Sequence, residues 1–83
     1  MEFASDIVEF VLQDLTIEVG TSVLWTNRDI SSHTSTSGRP GDLTGIWDSR
    51  VLSTGKSYSF TFNQTGTFPY FCEIHPFMQA TVT

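Results

Sequence analysis

Period-two alternation is the feature that most restricts how this chain can fold. Leu15, Ile17 and Val19 alternate with Thr16 and Glu18, and Val23 and Trp25 resume the pattern beyond Gly20-Thr21. Tyr58, Phe60 and Phe62 alternate with Ser57, Ser59 and Thr61, and Phe68, Tyr70 and Cys72 alternate with Thr67, Pro69 and Phe71. An apolar side chain at every second position marks a half-buried strand, and no stretch keeps the helical period over a useful length. Gly20-Thr21 predicts a hairpin joining Leu15–Val19 to Val23–Trp25, and "NQTG" predicts a second joining Tyr58–Phe62 to Phe68–Cys72. Further strands are expected near Ile7–Leu12 and over Ala80–Thr83. The Ser-, Thr-, Gly- and Asp-rich segment between the hairpins, with Pro40 beside Gly41, reads as loops around short strands. These elements imply an all-β, antiparallel β-sandwich.

With 83 residues the chain has room for one core, so residues 1–83 are expected to form a single domain. Aromatics at 13% against charged residues at 16% provide enough apolar surface to bury, which excludes a disordered chain. The net charge of -5 disfavours phosphate backbones and anionic membranes, and nucleic acid is set aside as a partner. No apolar run is long enough to cross a bilayer, and "MEFASDIVEF" lacks the basic and apolar regions of a secretory signal. An exported protein would be represented here by its mature form or an excised domain. The single cysteine excludes an internal disulfide and leaves Cys72 as a core thiol, a reactive thiol or a ligand.

In "YFCEIHPFM", Cys72, His75 and Met78 follow one another at intervals of two intervening residues, so a tight loop can aim all three at one point. His33 lies far off in sequence in a polar loop after the Trp25 strand, and two loops of a sandwich can meet at one end. Two imidazoles, a thiolate and a thioether suit copper in both oxidation states, with Met78 as a weak axial ligand. Zinc sites seldom use a thioether, which favours copper. Taken singly, Cys72 reads as a small core residue, Met78 as filler and each histidine as an ordinary hydrogen-bonded side chain. Their concentration in one spacing pattern within a β context is what favours the metal.

These residues resemble the type 1 blue copper proteins, or cupredoxins, of the plastocyanin and amicyanin kind. "GTFPYFCEIHPFM" resembles the amicyanin ligand loop, "LTIEVGTSVLWTNRDISSHT" the approach to the first histidine, and "WDSRVLSTGKSYSFTF" the middle strands. The resemblance implies a Greek-key sandwich, one copper ion held by His33, Cys72, His75 and Met78, and electron exchange at the His75 edge. It also implies an apolar docking patch containing Pro76 and Phe77, transient redox-protein partners, a monomer and a periplasmic or other extracytoplasmic location. Three positions depart from the pattern. Ile74 stands where proline is usual, and its amide is expected to donate to the Cys72 sulfur and raise the reduction potential. Glu73 puts a carboxylate beside the thiolate, with the opposite effect. Thr34 replaces an asparagine, so the bracing between the two ligand loops is expected to differ.

Phe71 and Glu73 flank Cys72, where copper oxidases carry histidine, and the side chains supply no second copper centre, so an enzyme is disfavoured. A copper carrier or a metal-free interaction module are the competing readings. Asn63-Gln64-Thr65 matches a glycosylation acceptor, and the turn explanation suffices for it.

Overall fold

A computed structural model describes residues Met1–Thr83. It contains seven strands, namely β1 (Glu2–Ile7), β2 (Ser22–Asn27), β3 (Thr36–Arg39), β4 (Asp42–Asp48), β5 (Ser57–Thr61), β6 (Phe68–Phe71) and β7 (Gln79–Val82). One sheet has the order β1-β2-β5 and the other β4-β3-β6-β7, so the all-β sandwich is formed. No helix is long and apolar enough to cross a membrane.

Strand pairing differs from the expected hairpins. The segment from Leu15 does not pair with β2. Instead Leu15 bridges Val82 in parallel, and the Leu15 and Ile17 amides donate to the carbonyls of Thr81 and Thr83. β2 pairs with β5 antiparallel and with β1 in parallel, which departs from an all-antiparallel layout. β5 and β6 lie in different sheets, so "NQTG" is an arch between layers. The N-terminal strand is Glu2–Ile7, earlier in the chain than the expected Ile7–Leu12. The consecutive antiparallel pairs actually present are β3-β4, turning at Pro40-Gly41, and β6-β7.

The arch has a packing reason. It sets Phe62 against both Phe60 and Phe68, with ring centroids 5.0 Å and 5.3 Å apart. Trp25 of β2 stacks on Trp47 of β4 across the two sheets at 5.6 Å, and Tyr70 of β6 packs against Trp25 at 5.5 Å. Each large side chain fully removed from water contributes about 1.5–3 kcal/mol, so this aromatic layer dominates cohesion between the sheets. Burial pushes the Tyr70 hydroxyl up to about 12, and the protonated phenol donates to the Gln13 carbonyl.

Between Thr36 and Gly38 the β3-β4 register shifts. The Ser37 hydroxyl fills the break, accepting from the amides of Ile46 and Trp47 and donating to the Trp47 carbonyl. Gly38, at φ 112°, completes the bulge, and an added Cβ would stand 2.5 Å from the Asp42 carbonyl oxygen and 2.8 Å from Leu43 Cα. Only glycine fits there.

Candidate metal centre

Strand directions bring distant residues to one end of the sandwich. β3 and β6 are antiparallel neighbours with Thr36 opposite Phe71, so the residues just before β3 and just after β6 emerge together. These are His33 and Thr34 on one side and Cys72 on the other. Phe71 also faces Gln79 of β7, so the loop from Cys72 to Met78 leaves and re-enters the sheet at the same end. The Cys72 amide donates to the Met78 carbonyl and the Met78 amide to the His75 carbonyl, which closes the loop on itself. His33 is fixed by reciprocal backbone bonds with Leu52.

Both imidazoles turn Nδ1 toward one sulfur. Cys72 Sγ is 3.7 Å from His33 Nδ1 and 3.7 Å from His75 Nδ1, and the three donor atoms lie within 4.8 Å of one another. His33 and Cys72 are fully buried, whereas His75 is partly exposed. A divalent ion with bonds of about 2.3 Å to sulfur and about 2.0–2.1 Å to nitrogen holds those atoms roughly 3.8 Å apart at a trigonal angle. The two sulfur-to-nitrogen separations therefore match what an ion shared by the three donors would require. Met78, at 2% exposure, closes the loop as a buried thioether. The donor types match copper better than zinc.

The surroundings of these donors are largely satisfied. Asp29 Oδ2 lies 2.8 Å from His33 Nε2, and with Nε2 protonated this contact leaves the Nδ1 lone pair facing Cys72. The same hydrogen bond holds the Asp29 carboxyl below its usual range. Asn27 shapes that loop. Its side-chain amide donates to the carbonyls of Ser31 and Leu52, and its Oδ1 accepts from the Asp29 amide.

Thr34 links the two loops. Its amide donates to Cys72 Sγ at 3.4 Å, and its hydroxyl accepts from the Glu73 amide at 2.8 Å. The backbone bond expected from Ile74 is thus made by Thr34, because β3 runs beside β6 while Ile74 sits on the outward turn of the loop with its side chain exposed. The Glu73 carboxylate accepts from Thr36 Oγ1 at 3.2 Å, a hydroxyl that also lies 2.9 Å from Thr34 Oγ1. Pro76 and Phe77 are on the surface beside His75, and Phe77 is 72% exposed.

Sequence reasoning missed two neighbours. Asp29 stands four residues before His33, a spacing that carries a signal only once the loop is known to curl back. Phe10 reaches the site from the turn after β1, and no turn-forming residue marks it.

A sandwich with a buried thiol and two imidazoles converging at one pole defines the class of small copper-binding β-sandwiches. A family model described as copper binding proteins of the plastocyanin/azurin family matches residues 1–83. The chain belongs to that family, and copper is its cofactor. Amicyanin-alpha of Methylorubrum extorquens is 33% identical over 79 residues, and amicyanin of Paracoccus versutus 27% over 75 residues, each match covering 90% of this chain. The chain spans 63% and 57% of those two relatives' lengths. Among solved structures, a purple cupredoxin from Nitrosopumilus maritimus aligns with a TM-score of 0.86 at 28% identity, covering 96% of both chains. A reduced amicyanin mutant aligns at 0.85 with 27% identity, over 99% of this chain and 80% of the other.

Proposed function

We propose that Met1–Thr83 is a single domain that carries one electron at a time between redox proteins, in which His33, Cys72 and His75 would hold copper and Met78 would add a weaker thioether donor. The observation that carries this reading is the convergence of two Nδ1 atoms on one buried thiol sulfur at 3.7 Å each. When bound, copper supplies a one-electron Cu(I)/Cu(II) couple. The chain's own residues keep that couple fast by holding the donors in place. His33 is fixed by Leu52 and Asp29, Cys72 by Thr34 and Met78, and the loop by strands β6 and β7. Donors already in place need little rearrangement between oxidation states.

His75 is the exposed edge of the site, and it is where a partner's redox centre approaches closest. Phe77 and Pro76 give that edge an apolar rim suited to brief docking, in keeping with the small interfaces of electron-transfer encounters. The partners are other redox proteins, and the location is the periplasm or another extracytoplasmic compartment. The role is that of a carrier, not an enzyme.

The test is an oxidised visible spectrum with copper stoichiometry, followed by voltammetry. An intense sulfur-to-copper charge-transfer band at one copper per chain, with a reversible one-electron wave, supports the reading. Absence of the band after Cu(II) addition overturns it, and a band without a reversible wave points to copper carriage instead.

A further inference from the structure

The turn after β1 is built against its own backbone preference. The Val11 amide donates to the Val8 carbonyl at 3.1 Å and the two residues form an antiparallel bridge, so Glu9 and Phe10 are the central residues of a tight turn. Their φ angles are 53° and 61°. Positive φ at both central positions is the geometry that Asn-Gly and Asp-Gly adopt readily. Glutamate and phenylalanine adopt it against repulsion from their own Cβ atoms. Such strain persists where the surrounding structure holds it in place, and it concentrates at functional sites.

The Phe10 side chain supplies the reason for keeping it. Its ring centroid is 4.8 Å from that of His75 at an interplanar angle of 87°, and 5.4 Å from that of His33 at 81°. The imidazoles are 5.1 Å from each other, so one phenyl ring meets both edge-to-face. The two histidines depend on it unequally. His33 has backbone bonds to Leu52 and a carboxylate on Nε2. The His75 ring has the Cys72 sulfur, the aromatic contacts to Phe10 and Phe77, and the neighbouring His33 ring. Of the aromatic neighbours of His75, Phe10 is the nearest, and it comes from the turn after β1.

We propose that Phe10 is a positioning residue. From the strained turn it clamps the His75 imidazole against Cys72 and His33 before metal arrives, shields the pair from water and so sets how fast copper is released. This rests on the copper reading above. Phe10→Asn removes the ring while suiting positive φ, so the turn itself is retained, and Phe10→Tyr keeps the ring. Loss of two edge-to-face contacts is expected to speed copper release to a Cu(I) chelator about tenfold in the Asn variant, with the Tyr variant within about twofold of wild type.

In the metal-free protein, NMR should find the His75 ring protons displaced by the Phe10 ring current in the wild type and returned toward ordinary shifts in the Asn variant. Unchanged His75 shifts in that variant overturn the clamp whatever the metal does. Release at the wild-type rate from Phe10→Asn, or equally fast release from Phe10→Tyr, also overturns it. A wild type that takes up no copper overturns the ligand assignment instead, so the two readings fail separately.

Discussion

Replacing Thr34 by valine removes a hydroxyl at nearly constant volume, so the variant isolates the link between the two ligand loops. Thr34 is buried, and its Oγ1 accepts from the Glu73 amide at 2.8 Å. Valine leaves that amide facing a methyl group, and an unsatisfied buried donor costs about 1–3 kcal/mol. Glu73 is itself exposed and the bond is only partly buried, which places the expected loss near the lower half of that range, about 1–2 kcal/mol. The second partner limits its own loss. Thr36 Oγ1 keeps Asp48 Oδ1 at 3.3 Å and Glu73 Oε1 at 3.2 Å once Thr34 Oγ1 is gone.

For a chain of this length each kcal/mol moves the melting temperature by about 4–8 °C, so Thr34→Val should melt roughly 4–16 °C below wild type. The assay is thermal and urea denaturation of the metal-free protein, with hydrogen exchange at the Glu73 amide as the local readout. Thr34→Ser retains the acceptor and should leave that exchange slow even where loss of the methyl lowers stability. A valine variant within about 0.5 kcal/mol of wild type, with Glu73 exchange unchanged, refutes the role given to this hydroxyl.

Other expected outcomes follow from the same geometry. Gly38→Ala should destabilise by at least about 2 kcal/mol in urea denaturation, because the new Cβ meets backbone atoms at a positive φ; a shift below about 0.5 kcal/mol would show that the bulge yields. Cys72→Ser should abolish the visible charge-transfer band of copper-loaded protein, and a retained band would mean the sulfur is not a ligand. Asp29→Ala strips the partner from His33 Nε2 and should weaken copper binding about 10–100-fold in chelator competition, whereas unchanged affinity would remove Asp29 from the site.

The alternation of Tyr58, Phe60 and Phe62 identified core-facing residues correctly in kind, since Phe62 is buried and Phe60 packs against the core. It could not identify strand partners. A period of two states which face is apolar, and the same turn residues serve a hairpin within one sheet or an arch between two. Arching was decided by nonlocal packing, the contact of Phe60, Phe62 and Phe68 with Trp47, which no local pattern contains. Leu15 shows the same limit, because its partner Val82 is at the other end of the chain.

The convergence of His33, Cys72 and His75 was far more legible. Two of those donors sit on one short loop, so their spacing nearly fixes their meeting, and softness of the donor set names the metal. The Ile74 amide was a plausible donor to sulfur by adjacency in sequence, yet adjacency in the sheet gave that bond to Thr34. Phe10 was invisible because Val8–Val11 contains none of the residues that advertise a turn with positive φ.

All the donors lie at one pole, and the pairings Ser22 with Thr61 and Phe68 with Val82 mark the other. The arch at Gln64 belongs to that far pole and is exposed. A surface cysteine introduced there and bonded to gold would stand the molecule upright, with His75 facing solution and the length of the sandwich between it and the metal surface. Attachment at Phe77 would invert it. The same sandwich would then serve as a spacer in one orientation and as a direct contact in the other, so interfacial electron-transfer rates would report its polarity directly.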